Sequence, residues 1–77
     1  MDLTVLEKLR ESLIASRNAG REWPAAWRVA CRTALEGTRG RERSEWTSAI
    51  YATQPAWERA YERAELDVRG AALFEQD

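Results

Sequence analysis

Histidine is absent from this 77-residue chain, and cysteine occurs once, at Cys31. Without histidine the commonest general base is missing, and a nucleophile has no ready partner to take its proton. A lone cysteine cannot close an internal disulfide, and without histidine it leaves none of the usual zinc-ligand sets. Lysine is nearly as scarce: Lys8 stands alone against eleven arginines, outside any Ser-x-x-Lys context. No apolar run approaches the ~18 residues that would span a membrane. The chain starts Met1-Asp2 and continues amphipathically, unlike a signal peptide. An Asp-rich, Gly-centred calcium loop and a Gly-Lys-Ser/Thr phosphate loop are missing as well. The expectation is a protein without catalytic residues, metal or cofactor, placed by its unpaired thiol in the reducing cytoplasm and not in a membrane.

What remains is ordinary for a helical globule: 44% apolar and 32% charged residues, too hydrophobic for a disordered chain. The formal net charge of −1 gives no whole-molecule field to recruit nucleic acid or an acidic membrane. The arginine excess has two readings. Arginine is chosen for forked contacts to phosphate or carboxylate, or GC-rich coding favours it, which would suit a high-GC bacterium or one of its phages. At this length one domain, residues 1–77, is the limit. Such a chain buries only about 60% of the surface exposed when unfolded. Close helix packing or self-association must therefore supply the stability, and a homo-oligomer is one expected outcome.

Helical periodicity dominates. Thr4 and Glu7 stand in capping-box spacing before a Leu6, Leu9, Leu13 stripe, with Leu3, Val5 and Ile14 at its flanks and Gly20 as terminator. A second helix is expected from Pro24 to Glu36, with Trp27, Ala30, Cys31 and Ala34 inward, and Gly37 after it. Residues 37–44 read as a linker. A third helix is expected over Ser44–Ala52, or from a turn earlier, with Trp46, Ala49, Ile50 and Thr53 inward. The fourth is expected over Pro55–Arg69 on a stripe of Trp57, Ala60, Tyr61, Ala64 and Val68, capped by Gly70. A short apolar turn, Ala71 to Phe74, would follow. Together these make an all-α fold, a small bundle of four short helices arranged as two packed αα-hairpins.

The second and fourth helices echo one another, each with a proline start followed by Trp-x-x-Ala-x-x-x-Ala. Either a helix pair has been duplicated, or two helices facing one core chose the same large and small residues. The pattern is not a tetratricopeptide repeat, whose Leu-Gly pair and Tyr are missing.

Few surfaces suggest binding. Arg39, Arg41 and Arg43 flank Gly40 and would place guanidinium groups on phosphates beside a helix N-terminus. Read blandly, the same residues are a polar turn diluted by Glu42 and Glu45. A helix-turn-helix around this turn would need a shorter connection. Its reading helix would also present Glu45, Thr47, Ser48 and Tyr51, none suited to gripping a guanine edge. Glu58, Glu62 and Glu65, answered by Arg59, Arg63 and Arg69, read as a solvated face and not as an acid/base pair. Cys31 and Lys8 read as core and solvent respectively.

Four tryptophans in 77 residues are the strongest signal. Trp27, Trp46 and Trp57 lie on inward stripes. Trp23, ahead of Pro24, would either staple the start of the second helix or stand out as an interface anchor. Leu73 and Phe74 would fold back over the bundle or engage a partner. These features point to a cytosolic protein–protein interaction module, a regulator or inhibitor that occupies a larger bacterial protein, with Trp23, Tyr51, Leu73 and Phe74 as partner contacts. The alternatives are a dimeric nucleic-acid-binding regulator using Arg39, Arg41 and Arg43, and a self-assembling structural subunit.

Overall fold

A computed structural model of the chain describes residues 4–66, and within them the fold is all-α. Four helices follow one another: α1 (Thr4–Asn18), α2 (Trp23–Leu35), α3 (Gly40–Ala52) and α4 (Gln54–Glu62). They form a small bundle around one core. The main packing is α1 on α2, across a four-residue connection; α3 and α4 each touch α2, and α4 also touches α1 and α3.

The core follows from the helical stripes. From α1 come Val5, Leu6, Leu9 and Leu13; from α2, Ala26, Trp27, Ala30, Cys31, Ala34 and Leu35; from α3, Trp46 and Ile50. Trp57, Ala60 and Tyr61 complete it from α4. Alanines at 26, 30 and 34 let α1 approach α2 closely, and the indole of Trp27 fills the space beside them. Burying each of the large side chains contributes roughly 1.5–3 kcal/mol before ordering costs are deducted.

Two helix ends share one device. At the end of α1, Gly20 N–H donates to Arg17 and Arg21 N–H to Ser16, with Gly20 at φ +76°. At the end of α4, Ala64 N–H donates to Tyr61 and Glu65 N–H to Ala60, with Ala64 at φ +57°. Both are Schellman caps, in which a left-handed residue turns the chain out of the helix. Glycine is suited to that conformation and alanine is not.

Three expectations need correction. The fourth helix ends at Glu62, not Arg69, because the cap at Ala64 turns the chain; Ala64 is exposed, and Leu66, 1% exposed, takes the core position instead. The third helix takes the earlier of its two expected starts, at Gly40, one turn before Ser44; the linker expected over residues 37–44 is thereby corrected to a connection over residues 36–39, and Arg41 and Arg43 are helical. Trp23 opens α2 and does not sit in a turn before it, with Pro24 still in the first helical turn. The echo between the second and fourth helices holds for Trp27 and Ala30 against Trp57 and Ala60, all buried, and breaks at Ala34, buried, against exposed Ala64. Val68, Arg69, Gly70 and the turn expected over Ala71 to Phe74 lie outside the described residues.

Candidate partner-binding surface

Four aromatic side chains from three helices form a continuous chain across one side of the bundle. Tyr61 of α4 lies 5.5 Å from Trp23, Trp23 lies 5.1 Å from Trp27, and Trp27 lies 5.8 Å from Tyr51 of α3. Their exposure is unequal. Tyr61 and Trp27 are buried, Trp23 is half-buried against the core, and Tyr51 is 51% exposed.

Each ring is held by its neighbours. The Tyr61 hydroxyl donates to the carbonyl of Arg21 in the α1–α2 connection. Tyr51 meets Trp27 edge-on, at an interplanar angle of 84°, a favoured aromatic geometry. Its side chain also reaches the Cys31 thiol. Burial of that thiol pushes its pKa up from 9.0 to about 11, and the bond from Tyr51 pulls the other way. Cys31 is therefore a packed, protonated thiol at neutral pH, as its place on the inward stripe implied, with none of the electropositive exposure of a reactive cysteine.

The structure treats the expected contacts unequally. Trp23 rests on Trp27 and Tyr61, so it staples the start of α2 and leaves only part of its indole outward. Tyr51 is the exposed aromatic among the described residues. Leu73 and Phe74 lie outside the described residues. Arg39, Arg41 and Arg43 are all exposed, but the Arg43 guanidinium turns back to the carbonyl of Leu35 at 3.3 Å, closing the end of α2. The three arginines are thus not one flexible cationic loop. Lys8 is exposed on α1.

Sequence reasoning missed Val29, 36% exposed on the outer side of α2. The signal was available, since Val29 falls on the far side of α2 from the stripe of Trp27, Ala30, Cys31 and Ala34. Among the described residues no three His, Cys, Asp or Glu side chains converge on a common point, and no helix is long and apolar enough to cross a membrane. No family model matches the chain, and no curated protein or solved structure matches it either.

Proposed function

We propose that this domain is a protein–protein interaction module, a small non-enzymatic cytoplasmic regulator or inhibitor that works by occupying a surface on a larger bacterial protein. The observation that carries the reading is Tyr51, an aromatic ring half in solvent and fixed from beneath by Trp27 and Cys31. A ring already immobilised loses little conformational entropy on binding, which is why rigid tyrosines recur as interface anchors. Trp23 extends the surface from its half-buried position, and Leu73 and Phe74 are further contacts in the proposal. The arginine-rich, lysine-poor composition suits a high-GC bacterium or a phage of one.

The test is capture of tagged full-length protein from a lysate of a high-GC bacterium, with and without nuclease, followed by mass spectrometry. A stoichiometric protein that survives nuclease, and is lost with Tyr51→Ala, is the expected result. Retention only without nuclease would instead favour a dimeric nucleic-acid binder acting through Arg39, Arg41 and Arg43. Recovery of nothing but the chain itself would favour a self-assembling subunit.

A further inference from the structure

The outer side of α2 differs from every other helix surface in charge. Its thirteen residues carry Arg28 and Arg32 and no acid; Glu22 and Glu36 stand only at its two caps. By contrast α1 holds Glu7 and Glu11 beside Lys8 and Arg10, α3 holds Glu42 and Glu45 beside Arg41 and Arg43, and α4 holds Glu58 and Glu62 beside Arg59. Arg28 and Arg32 are four residues apart, one turn along the same row, and both are exposed.

The exposed apolar side chains flank this row. Val29 is three residues before Arg32, so it borders the row on one side. Arg28 follows Trp27 and is three residues before Cys31, and Tyr51 packs edge-on against Trp27, so Tyr51 borders it on the other. On α3 the positions running beside α2 are Arg43, Thr47 and Tyr51, again without an acid. Crossing the surface, one meets an aliphatic side chain, two free guanidinium groups and a fixed aromatic ring.

We propose that this face of α2 docks an acidic polypeptide segment, whose carboxylates pair with Arg28 and Arg32 while an apolar side chain on either flank packs on Val29 and Tyr51. The inference rests on the interaction-module reading and gives the partner its chemistry. Guanidinium forks match carboxylates two bonds at a time, and apolar flanks on both sides of a charged row suit an amphipathic helix or extended peptide. A nucleic-acid backbone fits less well. Two free guanidinium groups neutralise few phosphates, and Val29 would be left facing sugar and phosphate.

The experiment selects a random 16-residue peptide display library on full-length protein, then repeats binding of the enriched peptides to Arg28→Glu/Arg32→Glu and to Tyr51→Ala. All three substituted side chains are exposed, and circular dichroism verifies that the variants stay folded. Enriched peptides should combine Asp or Glu with an apolar residue and lose affinity by about tenfold or more on the charge reversal. They should also lose affinity on Tyr51→Ala. Peptides that lack acids, or that bind the charge-reversed protein equally well, would overturn the acidic-partner inference and leave the interaction module standing. Enrichment of no peptide would sink both. Tighter binding of a fifteen-residue oligothymidine than of any peptide would move the face to nucleic acid.

Discussion

Arg17 holds Tyr61 twice: its guanidinium donates to the Tyr61 carbonyl at 2.6 Å and lies 5.8 Å from the centroid of the same residue's ring. The first contact adds a side-chain donor to a carbonyl at the end of α4 that also accepts from the Ala64 N–H. The second is a cation–π contact at the outer edge of its useful range. Because the Tyr61 hydroxyl also donates to Arg21, one tyrosine joins α4 to the end of α1 and to the connection into α2.

That junction should be measurable in stability. Tyr61→Phe keeps the buried ring and removes only the bond to Arg21, a loss expected at about 1 kcal/mol. Arg17→Met keeps the aliphatic stem, removes the hydrogen bond to the Tyr61 carbonyl and the cation, and should cost a similar amount. The two share one residue, so the double variant should deviate from additivity. Urea midpoints at constant m-value test this; two effects that add without remainder would mean that the contacts act independently.

Ala64 gives a prediction of opposite sign. It occupies the left-handed position of a Schellman cap at φ +57°, where an alanine Cβ is strained. Ala64→Gly should therefore stabilise the domain, by about 0.5–1 kcal/mol. For a domain of this size that corresponds to a rise in melting temperature of roughly 2–8 °C. Gly20, at φ +76° in the matching cap of α1, supplies the control, because Gly20→Ala should destabilise by a comparable amount. If Ala64→Gly lowered the melting temperature, the cap would not persist in solution.

The same residue explains where sequence reading stopped. The stripes of α1 and α2 were legible because apolar residues recur at three and four and because glycine marks each end. The end of α4 was not, since alanine at position 64 continues a helical stripe as readily as it closes a cap, and Gly70 drew the expected end farther along the sequence. With α4 extended to Arg69, Leu66 fell off the stripe, although it is 1% exposed. The start of α3 was legible only as one of two alternatives, Ser44 or a turn earlier, and the earlier one holds. Gly40 and three arginines look like a linker, although the backbone is already helical from Gly40 and Arg43 reaches back to the end of α2. Of the binding surface, Tyr51 was visible as an outward aromatic. That Trp23 would lie against Tyr61, thirty-eight residues away, depends on tertiary packing that no local pattern encodes.

Cys31 predicts a pH dependence. Its thiol is raised from 9.0 to about 11 by burial, so between those values the folded chain keeps a proton that the unfolded chain releases. Stability linked to this group is fully present below pH 9 and falls as the pH climbs toward 11. Cys31→Ala should flatten that part of the profile, measured as urea midpoint against pH, in spite of its own packing cost. Tyr51→Phe removes the bond that lowers the thiol pKa, and should shift the upper limb further alkaline. At pH 8 a thiol reagent should label the native protein only as fast as it opens, so labelling that ignored denaturant would contradict the buried placement.

The indole of Trp27 separates packing from hydrogen bonding. Its Nε1 is buried and has no hydrogen-bond partner among the described residues, while the ring is 5% exposed and touches both Trp23 and Tyr51. An orphaned buried donor costs about 1–3 kcal/mol. Trp27→Phe removes that donor together with part of the ring, so relief of the first offsets loss of the second, and the net change should be within about 1 kcal/mol. Trp27→Ala removes the whole support and should cost about 3–5 kcal/mol. It should also free Tyr51, which loses the ring beneath it. Peptide affinity at the α2 face should then fall in Trp27→Ala and survive in Trp27→Phe, although neither variant alters an exposed residue. Equal stability losses in the two variants would mean that the indole nitrogen has a partner in solution, and affinity unchanged in Trp27→Ala would mean that Tyr51 needs no fixing from below.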